Sequence, residues 1–218
     1  MPAQQVSISS GKNAGEKSTG KTKRNMPQGR KQAFAPESIA KIKRHLVEQS
    51  DQRGLALLLA SLDTSLRSID LLHLRVSDVC DHNMQVVHRF GITQRKTQKT
   101  VECSLAPATR EAIAALISAQ GKVAGDYLWT AKSDVHGDHI TRVMFRRIVK
   151  AWATAADLDP RRFSGHSTRR TRPTLVYRQT KDVHVCAQLL GHQNLGHTIA
   201  YIGADSKAAL DLADTITF

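Results

Sequence analysis

From Pro36 onward the apolar positions fall on a helical period. Ile39, Ile42, Leu46 and Val47 make one stripe, and residues 55–62 supply a second, almost wholly apolar helix. A third helix is predicted from about Leu66 through Leu71, Leu72 and Leu74, and residues 77–83 read as a loop. Around residues 84–89 and 100–105 polar and apolar positions alternate instead, with a turn-like segment at 94–99 between them. That pattern predicts a small antiparallel β unit with a basic tip. Pro107 then opens an amphipathic helix carrying Ile113, Leu116 and Ile117, standing where a missing N–H costs least. Residues 121–138 read as mixed loop with a short apolar stretch at 127–129. A long helix near 139–156 follows, bearing Ile140, Val143, Met144, Ile148, Val149 and Trp152. Further helices are predicted at 167–178, 181–190, 197–202 and 205–213. The fold class is mainly α with a small antiparallel β-sheet.

Residues 1–33 break this pattern. They are Ser, Gly, Gln, Lys and Arg with scarcely a large apolar side chain, too little to offset the entropy of ordering, so a disordered basic tail is expected. Its Lys12, Lys17, Lys21, Lys23, Arg24, Arg30 and Lys31 either touch phosphates or form an ordinary solubilising leader. The remainder, 34–218, reads as one domain of a chain with 218 residues and 40% hydrophobic content.

The formal charge of +13 and pI near 10.1 exceed what solubility needs and point to a polyanionic partner, nucleic acid ahead of an anionic membrane. No apolar run reaches the ~18–20 residues of a membrane span, and the region of Met1 lacks a secretory signal, so a soluble, cytoplasmic, DNA-associated protein is expected. Cys80, Cys103 and Cys186 are odd in number and contain no C-x-x-C pair, which reads as reduced thiols. His184, His192 and His197 lack the cysteine or carboxylate that would complete a metal site, and no metal is expected.

The chemistry-bearing positions lie along most of the chain. His166-Ser-Thr-Arg169 is followed by Leu189-Leu-Gly-His192 and Tyr201, with 22 residues between Arg169 and His192 and eight between His192 and Tyr201. Upstream stands Asp63-Thr-Ser-Leu-Arg67-Ser-Ile-Asp70-Leu-Leu-His-Leu-Arg75-Val-Ser-Asp78, and between the two lies Gln94-Arg-Lys96-Thr97-Gln-Lys99. Each piece alone has a plain structural reading. Tyr201 beside Ile202 would serve as a core aromatic, and Arg67 with Asp70 as a surface ion pair worth under ~1 kcal/mol. In joint register, over about residues 34–218, they resemble the tyrosine recombinases, also called the phage integrase family.

That resemblance implies the DNA breaking–rejoining catalytic-domain fold and a role for each position. Tyr201 is the nucleophile, Arg67 and Arg169 clamp the phosphate, and Asp70 buttresses the site. Lys96, with Lys99 as second choice, protonates the leaving 5′ oxygen. Physical chemistry agrees: a phosphorane-like transition state gathers negative charge, and a planar guanidinium that keeps its proton binds two oxygens at once. His166 is suited to take the phenol proton and His192 to donate to the phosphate. Lys99, Arg170 and Arg172 are candidates for backbone phosphates. The implied products are a 3′-phosphotyrosine and a free 5′ hydroxyl. Bond energy is conserved, so neither ATP nor a metal cofactor is called for.

The same resemblance implies double-stranded DNA as partner and a homo-tetramer on it. The segment after Tyr201, with Leu210, Leu212 and Ala213, then docks on a neighbouring protomer or caps its own core. Two departures stand out. Pro173 falls inside the helix expected to hold Arg169 and predicts a kink. Typical family members also carry an N-terminal helical clamp domain; here the tail partly replaces it, an accessory protein does, or DNA is bound weakly. The expected function is site-specific recombination or integration. Topoisomerase-like relaxation by the same chemistry and a non-catalytic DNA-binding protein are the rivals.

Overall fold

The computed structural model describes residues 31–202. The expected tail up to residue 30 and the helix expected at 205–213 lie outside the described residues. The described chain is mainly helical with two small antiparallel sheets. It joins the domain slightly before residue 34. The Gln32 N–H donates to the Arg162 carbonyl at 3.0 Å, and Phe34 is buried with its ring stacked on Phe163 at 4.6 Å.

Helix α1 (Pro36–Glu48) opens on proline and buries Ile42 and Leu46, while Val47, counted in the same stripe, faces outward. Helix α2 (Gln52–Thr64) lies at the centre because it is apolar on nearly every side, with Ala56, Leu57, Leu58, Ala60 and Leu62 all buried. It ends at Ser65 in the left-handed region, φ 49°. The helix expected from Leu66 to Leu74 forms only as the short α3 (Ser68–Leu72), and a further turn, α4 (Val76–Val79), follows it. Leu66, Leu71, Leu72 and Leu74 are all buried, more directions than one amphipathic stripe can face. Helix α4 also takes in part of the loop expected at 77–83.

Strand β1 (Arg89–Thr93) pairs antiparallel with β2 (Thr100–Ser104), from Arg89 opposite Ser104 to Thr93 opposite Thr100. β1 starts later than the alternation at 84–89 suggests. Asp81 Oδ1 accepts from the N–H groups of Asn83 and Gln85, both at 2.9 Å, and closes a turn in which Met84 sits at φ 61°. Helix α5 (Pro107–Gln120) buries Ile113, Leu116 and Ile117 and stops at Gly121, φ 58°. The loop expected at 121–138 holds a second hairpin, β3 (Thr130–Ala131) and β4 (Asp134–His139). Its Asp-Val-His-Gly-Asp-His strand has no apolar alternation. The hairpin is tied instead by buried Lys122, whose Nζ donates to Thr130 Oγ1 at 3.0 Å and to the carbonyls of Tyr127 and Val135 at 2.9 and 2.5 Å.

Helix α6 (Arg142–Ala155) is capped by Thr141, whose hydroxyl accepts from the Met144 N–H at 3.1 Å. It buries Phe145, Val149, Trp152 and Ala153 but leaves Val143 and Met144 exposed. After a 3-10 turn at Pro160–Arg162 come α7 (Gly165–Thr180), α8 (Val183–Leu190) and α9 (Leu195–Ile202). Helix α7 continues through Pro173 to Thr180, so the proline does not end it. The missing N–H costs the bond that the Arg169 carbonyl would otherwise accept. The Pro173 carbonyl itself accepts from Cys186 Sγ at 3.3 Å, joining α7 to α8.

Candidate active site

Three chain reversals bring the site together. The first is the left-handed Ser65, after which Arg67 takes the N-cap position of α3. Asp70, one turn into that helix and 2% exposed, accepts from the Arg95 N–H through Oδ1 at 2.8 Å. The Arg67–Asp70 spacing is thus not a surface ion pair: the acid holds the β1–β2 turn against α3. The second reversal is that turn itself, closed by Gln94 N–H to the Lys99 carbonyl and Gln98 N–H to the Gln94 carbonyl, both 2.8 Å. It exposes Lys96 towards the site. The third is Gly191, φ 62°, which ends α8 and releases His192. An added Cβ there would lie 2.5 Å from Val101 Cγ1, so β2 packs directly against this reversal.

Arg169, on the first turns of α7, is 3% exposed. Its Nη1 donates to the Ser65 carbonyl at 2.6 Å and its Nη2 to the Leu190 carbonyl at 2.8 Å. One guanidinium therefore fastens the end of α2, just before Arg67, to the end of α8, just before His192. Ser164 starts α7 with a capping box shared with Ser167.

Arg67, Lys96, His166, Arg169, His192 and Tyr201 line one cavity of about 540 Å³. Ser68, Ile69, Ser164 and Gly165 complete its floor, and Arg142, Val143 and Arg146 of α6 its wall. Among the described residues, five permanent cations face the space and no carboxylate does. Arg142 and Arg146 went unremarked in the sequence, although basic residues at 142, 146 and 150 recur every four positions on the exposed side of α6. Gln94, buried beneath Arg67, was likewise passed over.

The other sequence candidates sit elsewhere. Lys99 is exposed and outside the cavity lining. Arg170 and Arg172, expected to reach phosphates, turn onto the protein. Arg170 is buried, donates to the Lys31 carbonyl at 2.5 Å and has its Cζ 5.2 Å from the Tyr201 ring centre. Arg172, half-buried, donates to the Asp63 carbonyl and to Ser104 Oγ. Both lie on a helix packed against α2, α6, α8 and α9, which leaves long side chains few routes to solvent. Among the described residues no three His, Cys, Asp or Glu side chains are gathered for a metal, and no helix is long and apolar enough to cross a membrane. Burial pushes the Cys103 thiol up to about 12, which makes it inert as a nucleophile.

The cations set the electrostatics. Burial raises the Tyr201 phenol above its usual value, and Arg169, Arg170 and Arg67 pull in the opposite sense. Burial, then Arg169 and Arg67, push His192 down to about 4, so its ring is neutral at pH 7. Its Nδ1 is 3.1 Å from the Thr198 hydroxyl, which is fully buried. Partial burial and then Arg169 and Arg170 lower His166 as well. The phenol Oη lies 3.4 Å from the His166 carbonyl, and the Tyr201 and His192 rings meet edge to face at 5.7 Å.

Solved structures of DNA recombinases share this fold. The XerA recombinase matches 89% of this chain and 68% of its own, at 18% identity and TM-score 0.68. XerH bound to palindromic difH in a post-cleavage complex matches at 18% identity and TM-score 0.66, over 84% of this chain and 53% of its own. The Tn1549 transposon integrase in complex with transposon right end DNA matches at 17% identity and TM-score 0.61, over 82% and 62%. The chain thus spans about half to two thirds of the length of these proteins. No curated protein matches it significantly. The sequence model of the phage integrase family matches residues 33–207, and the chain belongs to that family, the tyrosine recombinases.

Proposed function

We propose that this chain is a site-specific DNA recombinase or integrase that cleaves and rejoins strands through a 3′-phosphotyrosine intermediate. The observation that carries the reading is the composition of the cavity: among the described residues, one phenol and five cations line it and no acid does. Family membership and the DNA-bound neighbours support it.

In this reading the scissile phosphate enters the cavity with Arg67 and Arg169 on its non-bridging oxygens, where their charge counts most as the phosphorane forms. Arg169 has donors left over beyond the two given to backbone carbonyls, because guanidinium carries five. With the Thr198 hydroxyl donating to Nδ1, the neutral His192 keeps its proton on Nε2 and donates it to the phosphate. His166, whose pKa is lowered by partial burial first and then by Arg169 and Arg170, accepts the phenol proton as Tyr201 Oη attacks phosphorus. The P–O5′ bond breaks, and Lys96 passes a proton to the departing oxygen. Lys96 is favoured over Lys99 because it lines the cavity. Asp70 keeps the lysine-bearing turn in place. Exchange of one phosphoester for another needs no ATP and no metal. Double-stranded DNA is the substrate, and a homo-tetramer would pair two sites.

A nicked suicide duplex tests this. The wild-type chain should form a covalent protein–DNA adduct that Tyr201→Phe abolishes while binding survives. Absence of an adduct on every duplex tried, including DNA flanking the gene, would leave a DNA-binding protein without strand-transfer activity. Plasmid relaxation without exchange between two sites would mark a topoisomerase-like enzyme.

A further inference from the structure

Gln94 is 1% exposed at the base of the β1–β2 turn. A buried amide is costly unless its polar atoms are paired, and here the pairing is specific. Its Oε1 accepts from Arg67 Nη1 at 2.5 Å and from Thr97 Oγ1 at 2.8 Å. Two donors on one oxygen fix which way the amide points. The backbone of the same residue closes the turn at both ends, to Lys99 and to Gln98. On its other side Nε2 lies against Gly191, at 3.3 Å from the place a Cβ would take there. Gln94 thus touches the three segments that carry Arg67, Lys96 and His192.

We propose that Gln94 is a positioning residue for strand cleavage, setting the Arg67 guanidinium in register with the turn that carries Lys96. It rests on the reading of Arg67 and Lys96 given above. One side chain then couples two tasks, holding the phosphate and protonating the leaving oxygen. A glutamine suits the place better than an acid. A carboxylate would pair with Arg67 and cancel the charge the phosphate needs, whereas the amide oxygen orients the guanidinium and leaves its charge intact. Thr97 completes the device by holding the amide from the turn side, one residue past Lys96.

The test uses two suicide duplexes, one with the natural 5′ oxygen at the cleaved bond and one with sulfur in its place. A thiolate leaves without a proton, since thiols ionise near ~8.5, so the sulfur duplex does not need Lys96 and reports phosphate binding and attack alone. Gln94→Met keeps the length and removes the acceptor. It should slow single-turnover cleavage of the oxygen duplex by about tenfold or more, with affinity for DNA within about threefold of wild type. Loss on the sulfur duplex should be smaller, so that the sulfur-to-oxygen rate ratio rises at least about fivefold. Thr97→Val should shift that ratio the same way by less, and it carries the test if Gln94→Met melts below the assay temperature. A ratio equal to wild type in the folded variants means a merely structural glutamine and overturns the proposal. No adduct with the wild-type chain on either duplex removes the strand-transfer reading and this role together.

Discussion

The two arginines of the cavity are held in different ways, and that separates what their loss does. Arg169 is buried and satisfies the carbonyls of Ser65 and Leu190. Arg67 is half-buried, and its described side-chain bond is to Gln94, which keeps Thr97 as a second donor. Arg169→Ala strands two interior acceptors, so it should lower folding stability by about 2–4 kcal/mol as well as abolish cleavage. Arg67→Ala should slow cleavage by about 10²–10³-fold while changing stability by less than about 1 kcal/mol. Urea unfolding beside single-turnover cleavage reads the two effects separately, and equal stability losses would contradict the tethering of Arg169. The sequence carries the identity of such residues but not their tethers. Spacing singles out Arg67, Arg169, His192 and Tyr201, yet the carbonyl partners of Arg169 belong to Ser65 and Leu190, residues of no chemical distinction. Arg170 and Arg172 show the converse. A run of arginines reads as a phosphate surface, and only packing reveals that both turn inward.

Among the elements, α7 is where chain packing and chemistry meet, because its first residue has no room to grow. A Cβ on Gly165 would lie 2.3 Å from Ser68 Oγ of α3 and 2.9 Å from Phe145 Cε1 of α6. Arg67 caps α3 and Arg169 sits four residues along α7, so the contact at Gly165 sets the spacing of the two guanidiniums. Gly165→Ala should therefore cost about 1–3 kcal/mol of stability by overpacking. Cleavage at saturating DNA should drop by about tenfold or more, because small displacements at a reacting centre are expensive. A variant that loses stability but cleaves at the wild-type rate below its melting point would break the link between helix spacing and chemistry. Helices α1 and α5 are legible because their apolar periodicity is strong and their starts are marked by Pro36 and Pro107, α2 because its run at 55–62 is almost wholly apolar, and α6 because Ile140, Val143, Met144, Ile148, Val149 and Trp152 recur along it. The β3–β4 hairpin is not, since a polar strand held by a buried lysine leaves no hydrophobic pattern. Pro173 lies inside α7, which continues past it to Thr180. In the fold α7 is packed against α2, α6, α8 and α9, and that packing outweighs the loss of one backbone bond.

At the scale of the whole molecule the charge of +13 acts on partner and fold alike. Towards DNA, each cation that meets a phosphate releases a counterion, so Arg142→Ala and Arg146→Ala should each lower the slope of log affinity against log salt by about one. A slope unchanged by either would remove α6 from the DNA surface. Towards the fold, the same cations charge the interior against protonation, and the consequence is a definite pH dependence. His192 ionises near 6.5 when unfolded and is held at about 4 in the fold, by burial first and by Arg169 and Arg67 after it. Above pH 6.5 both states leave the ring neutral, and the stability it contributes is complete. As pH falls from 6.5 towards 4 the unfolded chain takes up a proton that the folded chain refuses, so stability is lost across that window and no further below it. His166 and His73, also lowered mainly by burial, act in the same direction. Wild-type melting temperature should thus decline between pH 6.5 and 4, and His192→Gln, which cannot ionise, should decline less steeply over the same range. Parallel curves would mean that the cavity does not hold the imidazole neutral, and the proposed donation from a neutral Nε2–H would give way to donation from an imidazolium.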